Sequence, residues 1–404
     1  MISADFAPNE SSSDAYAALL MLVRPWRWRK GKAIGRLKQK LKRIFGPYEV
    51  FLYLTGRAAL YRVLQALSLA ENSEVAVQGF TCEAVVLPLI ELKLKPLYID
   101  IEPQTFSMDI EDLKRKITPQ TKVLVLQHTF GMLPKNREKI LAFAKERDLL
   151  VIEDLAHGFY SFSSKTIDTK PQRSILLLSF GRSKSLSSVF GGAILSADEM
   201  VNKKLKEVEK ASSYPSATFV WKALWYKPMA FFIKKTYDVY LGKVVHAVLN
   251  ILQVVPREVS PIEKRGEFDP IFIKAYPNAL AHLLLNQFKQ FDQINANRLY
   301  AVSQYKSHFF KNKETSKPEP LIRFPLLSQD REKVIVTAKR KNLFIGRWYD
   351  QVVGPKELPL EKLGYQTGSC PVAENICSKI LNLPTTVSQK EAERVLDIVA
   401  LEAS

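Results

Sequence analysis

The chain has 404 residues, 47% of them hydrophobic, with a formal charge of +18 and three cysteines. These values fit a folded protein of about two ordinary domains and exclude a disordered chain. Cys82, Cys370 and Cys377 form no CxxC pair, which argues against a disulfide framework or a zinc site and for a reducing cytosol, so no metal is expected.

The charge is unevenly spread. Residues 1–50 and residues 201–260 each carry ten Lys or Arg against four acids, and together they supply +12 of the +18. The start, "MISADFAPNESSSD", lacks the basic and apolar pattern of a cleavable signal. A membrane-spanning helix is not expected either, because no run of about 18 apolar residues occurs. The expected location is the cytoplasm, with the inner face of the membrane as a peripheral site.

"SSDAYAALLMLVRPW" predicts a short helix with Ser12, Ser13 or Asp14 as N-cap and Pro25 as its end. In the following "WRWRKGKAIGRLKQKLKRIFGPY", Ile34, Leu37, Leu41, Ile44 and Phe45 share one helical face, and ten basic residues from Arg24 to Arg43 cover the rest. Basic amphipathic helices with tryptophans, here Trp26 and Trp28, suit an anionic bilayer surface. The alternative is an arm (1–48) whose apolar stripe docks on its own domain.

From residue 49 a βαβ rhythm begins. "YEVFLYL", "SEVAVQ", "KPLYIDI", "TKVLVLQ", "DLLVIED" and "SILLLSF" read as buried strands, separated by helical patterns such as "GRAALYRVLQALSLA" and "EAVVLPLIELK". Buried strands alternating with helices predict an α/β fold with a mainly parallel sheet covered on both faces. The large domain is expected over 49–298 and a smaller α+β domain over 299–404.

The rhythm breaks over 212–265. Residues 216–256 are dense in aromatic and aliphatic side chains, interrupted by lysines and divided at Pro228, with Val244, Val245, Val248, Leu249, Leu252 and Val255 at helical spacing. A membrane-dipping hairpin, a dimer contact and a core helix pair all fit this pattern. Then "NALAHLLLNQFKQFDQINANRLYAVSQY" reads as one long amphipathic helix.

Four features fall at the carboxyl ends of the expected strands, where an open α/β sheet binds ligands. Gly56 in "LTGRAAL" opens a helix whose first N–H groups could hold a phosphate, or it is only a turn former. Asp154 in "VIEDLAHG" could pair with a cationic ring nitrogen, or cap a helix. Lys184 in "SFGRSKSLSSVFGG" has the setting of an amine with depressed pKa, suited to a Schiff base with an aldehyde cofactor. Ser179 could reach a cofactor oxygen or cap its strand.

The ordered set TGxAAL, "GFTCEAVVLPLIELK", "IEDLAHG", SFxxxK followed by GG, and "GSCPVAENICSKILNLPTTVS" resembles the DegT/DnrJ/StrS family of pyridoxal-phosphate sugar aminotransferases. The resemblance covers about three quarters of the chain, leaving out 1–48 and 212–265. It implies fold type I, with a large cofactor domain, a small C-terminal domain and an active site completed across a homodimer. It implies that Lys184 binds the cofactor aldehyde and moves protons, that Asp154 pairs with the pyridinium nitrogen, and that His157 lies against the ring or its phenolic oxygen. Ser179 and the backbone from Gly56 to Ala58 would hold the phosphate. Three departures stand out: Arg57 replaces the usual Thr, Cys82 replaces an aromatic for which Phe80 would compensate, and the Asn-x-Arg before the long helix is "FIKAYPNAL".

The resulting expectation is an aminotransferase that takes an amino group from an amino acid, glutamate in the family, and delivers it to a keto-sugar or lipid-linked keto substrate. An anionic membrane surface is the expected contact of residues 20–45 and 216–256. The competing reading is a binding or regulatory protein on the same fold. No nucleic-acid motif accompanies the basic segments.

Overall fold

Seven strands form the central sheet: β1 (Glu49–Tyr53), β2 (Glu74–Gln78), β3 (Lys95–Ile99), β4 (Thr121–Gln127), β5 (Leu150–Asp154), β6 (Ser174–Ser179) and β7 (Gly192–Ser196). The computed structural model describes residues 1–160, 174–251, 254, 256–310 and 317–403. The strand order is β1-β7-β6-β5-β4-β2-β3. Strands β2 to β6 run parallel, while β7 lies antiparallel between β1 and β6. The sequence rhythm did not anticipate β7, a short run behind a glycine pair. Gly192 is what lets it fit: a Cβ there would stand 2.2 Å from the Thr55 carbonyl oxygen in the turn after β1.

Side chains alternate across the sheet. Phe51, Tyr53, Val75, Val77, Ile175 and Leu177 face one core with α3 (Gly56–Leu67) and α4 (Glu83–Glu91). On the other face, Ala76, Leu124 and Val151 meet α5 (Ile110–Lys116) and α6 (Arg137–Glu146). At the β1, β7 and β6 end that face is covered by α1 (Ser12–Leu22), α2 (Lys32–Phe45), α8 (Ala217–Thr236) and α10 (Asn278–Gln287). Between these lie α7 (Glu199–Ala211) and α9 (Leu241–Ile251), and α11 (Phe291–Phe309) follows. In the C-terminal part, β8 (Arg323–Leu327) pairs antiparallel with β9 (Ile380–Pro384) beside α12 (Arg331–Arg340). Ile2–Ser3 pairs with Leu343–Phe344, and α11 runs unbroken through position 299.

Three expectations change, and one pair of alternatives is decided. The N-cap of α1 is Ser11, in a capping box with Asp14, because Ser11 keeps an extended backbone and frees its hydroxyl for the Asp14 N–H. The stripe of α2 is spent internally: Ala33, Leu37, Leu41 and Phe45 are buried, and α2 packs on α10. That stripe therefore offers no apolar face to a membrane. Asn278 fastens the same contact by accepting from the Ala33 N–H at 2.9 Å. Pro228 does not divide its segment but lies inside α8, where buried Val220, Ala223, Leu224 and Ala230 hold the helix together, with α1 packed against it, despite one lost backbone bond. The long helix expected from 278 splits into α10 and α11 at a 3₁₀ turn, Phe288–Gln290.

α8 also buries Lys227. Its Nζ lies 2.7 and 2.9 Å from the Glu10 carboxylate oxygens and 4.0 Å from Asp14, all three side chains fully buried. α9 packs on α8 but keeps Leu241, Val244, Val248 and Ile251 exposed. Leu252 and Val255, part of the expected stripe, lie outside the described residues. Among the described residues no helix is long and apolar enough to cross a membrane.

Candidate active site

Asp154 ends β5, Ser179 ends β6, and Gly56 and Arg57 open α3 directly after β1. Because β1, β6 and β5 point the same way, their ends meet on one edge of the sheet. Lys184 follows in the loop between β6 and β7. All five line one cavity of about 510 Å³, together with Thr55, Cys82, Gly181 and Glu258, a size that suits a small organic ligand.

Lys184 Nζ lies 3.0 Å from His157 Nε2 and 4.8 Å from the Trp348 ring centroid. The protonation states follow from one backbone bond. The Phe130 N–H donates to His157 Nδ1 at 3.2 Å. A neutral imidazole then carries its proton on Nε2 and donates it toward the lysine. Burial, with the charges of Lys184 and Arg323, holds His157 well below the usual histidine range. Burial also lowers Lys184, against the opposing pull of Cys82 and Asp154. The pair thus fits a neutral imidazole donating to a neutral amine, the nucleophilic form.

Asp154 is buried and accepts from the Ala156 N–H at 2.9 Å. Burial pushes its carboxyl above the ordinary range, with the Ala156 N–H and Lys184 acting the other way. A buried carboxyl in that state is stabilised by a cation brought to it.

The residues fit the phosphate-bearing aldehyde cofactor that the resemblance implies. The phosphate cradle would be the first turn of α3 and the Ser179 hydroxyl, where a Cβ on Gly56 would stand 3.1 Å from Ser179 Oγ. Asp154 suits the pyridinium nitrogen, and Lys184 suits the aldehyde. One group opposes the phosphate. Glu258 Oε1 accepts from the Arg182 N–H at 3.0 Å, and it lies 3.7 Å from where a Gly181 Cβ would stand, against 3.9 Å for Ser179 Oγ. A carboxylate already sits at the rim of the anion cradle.

Several expected site residues are placed elsewhere. Phe80 is fully buried in an aromatic cluster with Phe106, Phe130 and Tyr349 and does not line the cavity. Its neighbours claim the ring, so it cannot compensate for Cys82. The Ala58 N–H is taken by the Thr55 cap at 3.1 Å, which leaves Gly56 and Arg57 as the free N–H donors of the turn. The Arg57 guanidinium is held by Glu263, by Glu83 at 3.3 Å and by the Glu258 carbonyl at 2.8 Å, so its charge is already engaged. Cys82 does line the cavity, as a thiol that burial and Glu83 push up to about 11.

Other contributors come from far along the chain. Trp348 stacks on His157 at 5.4 Å and on the Arg323 guanidinium, which bonds Asp5. Asn9 Nδ2 donates to the carbonyls of Lys184 at 2.8 Å and Ser185 at 3.2 Å, and its Oδ1 accepts from Arg298 at 2.8 Å. The N-terminal segment thereby fixes the lysine loop. Among the described residues no His, Cys, Asp and Glu cluster suits a metal ion.

The sequence model of the DegT/DnrJ/EryC1/StrS aminotransferase family matches residues 10–227 and 277–400. GDP-perosamine synthase of Escherichia coli O157:H7 is 32% identical over 170 residues, covering 41% of this chain and 46% of that protein. The chain spans about half the length of the curated relatives it matches first. The pleiotropic regulatory protein of Geobacillus stearothermophilus is 24% identical over 345 residues, 84% of this chain and 80% of that one. The solved sugar aminotransferase CalS13 from Micromonospora echinospora shares the fold, with a TM-score of 0.72 over 100% of both chains at 15% identity. The family match skips 228–276, the stretch that holds α9 and Glu258.

Proposed function

The chain belongs to the DegT/DnrJ/EryC1/StrS aminotransferase family, and we propose that it is a pyridoxal-phosphate-dependent aminotransferase. It moves an amino group from an amino acid, glutamate in the first instance, to a keto-sugar or similar carrier-linked ketone. One observation carries this reading: an amine whose pKa burial lowers sits 3.0 Å from an imidazole nitrogen at the strand ends beside a buried carboxyl, with no carboxylate within salt-bridge range among the described residues.

The cofactor, when bound, supplies an electron sink for bond breaking at the amino-acid carbon. Lys184 Nζ holds the cofactor and, once released, carries the proton removed from that carbon. Asp154 keeps the ring nitrogen cationic through its charge. His157 Nε2–H orients the amine, and the N–H groups of Gly56 and Arg57 with the Ser179 hydroxyl hold the phosphate. Asn9 and Arg298 position the Lys184 loop. The active site is that of a homodimer, as in the family.

The test is cofactor content of the purified protein and release of 2-oxoglutarate from glutamate; a protein that binds no cofactor contradicts the reading. The Geobacillus relative's name and the Glu258 carboxylate favour the regulatory alternative as second reading. Cofactor binding without 2-oxoglutarate release would select it.

The enzyme works at an anionic membrane surface. Val23 and Trp26 are exposed in the basic turn before α2, and the exposed stripe of α9 is accompanied by Lys235 and Lys243 against one acid, Asp238, between 217 and 257. Binding to anionic vesicles that falls with salt and with Val244→Glu supports this; unchanged binding contradicts it.

A further inference from the structure

A second cavity, of about 240 Å³, adjoins the first, since Asp5 and Glu258 line both. Most of its remaining wall is apolar, Phe6 from the N-terminal segment, Tyr226, Met229, Ala230 and Ile233 from α8 and Leu249 from α9, and Arg182 and His246 are its basic members. The α8 residues follow i, i+3, i+4, i+7 spacing and so form one face of that helix. The amine chemistry at Lys184 has no use for an apolar chamber.

α9 is unusual for a surface helix. Leu249 faces the cavity, while Leu241, Val244, Val248 and Ile251 stand exposed on the outer side, where charged residues are the rule. Both features fall in the stretch that the family match skips. At the junction of the two cavities stand two carboxylates, Asp5 bonded to Arg323 and Glu258 bonded to the Arg182 N–H.

We propose that the second cavity is a subsite for a hydrocarbon chain, acyl or prenyl, carried by the keto substrate whose carbonyl reaches Lys184. At roughly 30 Å³ per water-sized group the cavity holds on the order of eight such groups, so a longer chain continues along α9 toward lipid. This deepens the aminotransferase reading and rests on it.

Methyl, butyl, hexyl and octyl β-glucosides, titrated below their micelle concentrations into cofactor-loaded protein, test the subsite by calorimetry. Affinity is expected to rise by up to about fourfold per methylene and to level off near eight carbons. Ala230→Phe, which fills the cavity, is expected to flatten the series; Leu249→Trp on α9 does the same if the first variant fails to fold. Affinity independent of chain length, or a dependence that persists in both variants, would overturn the proposal. Failure to load the cofactor on Lys184 would instead overturn the aminotransferase reading, and the glucoside series on the unloaded protein would still decide the cavity.

Discussion

Lys227 and Lys184 are both withdrawn from solvent, yet their surroundings differ in kind. Lys227 is fully buried and meets Glu10 at 2.7 and 2.9 Å. Lys184 is partly buried, has an imidazole at 3.0 Å and an indole face at 4.8 Å, and has no carboxylate within 4.0 Å among the described residues. A buried ammonium must be paired, whereas a buried amine can be kept neutral. The first arrangement welds α8 to the N-terminal segment, and the second produces a nucleophile. Burial alone identifies neither role; the partners do.

The largest expected effect is at Lys184. Lys184→Ala should lower transamination by about 10⁴-fold or more, read as 2-oxoglutarate release, with the fold unchanged by circular dichroism. Lys227→Met should reverse that pattern, costing about 3–5 kcal/mol of stability by leaving Glu10 and Asp14 without their cation. Pairing it with Glu10→Leu should recover most of the loss. If Lys227→Met were silent in urea unfolding, the contrast between the two lysines would fail.

Glu258→Gln sharpens the comparison from the cofactor's side. It keeps an acceptor for the Arg182 N–H but removes a negative charge from the anion cradle, so cofactor affinity should rise by about tenfold. The smallest effect concerns pH. Burial lowers Lys184 below the ordinary lysine value, so the neutral amine, and with it cofactor capture, should grow with pH with a midpoint below that of a free lysine. His157→Phe removes the donor to the neutral amine but keeps an aromatic ring against Trp348, so the midpoint should move up. A midpoint that stays fixed would deny the Nε2–H contact its role.

What was legible in the sequence lay within one strand and its following loop. Asp154, Ser179, Gly56 and Lys184 could be placed because strand ends converge on one sheet edge, which periodicity reveals. Phe80 was misjudged because Phe106, Phe130 and Tyr349, distant in sequence, claim its ring. The sequence admits two readings of the arm because a stripe of Leu37, Leu41 and Phe45 looks the same against lipid and against α10. Only the Asn278 contact and the burial decide it. Asn9, Arg298, Arg323, Trp348 and Glu258 carried no local signal, as each reaches the site from a separate element. Nor does the sequence show that Glu83 and Glu263 hold the Arg57 guanidinium, since both lie far from it along the chain.

Borohydride reduction of the cofactor-loaded protein, followed by peptide mass analysis, tests the central claim most directly. The account predicts the cofactor's mass fixed on the peptide that contains Lys184 and none on the peptide that contains Lys227. Label absent from Lys184, or scattered over the exposed lysines, would contradict it.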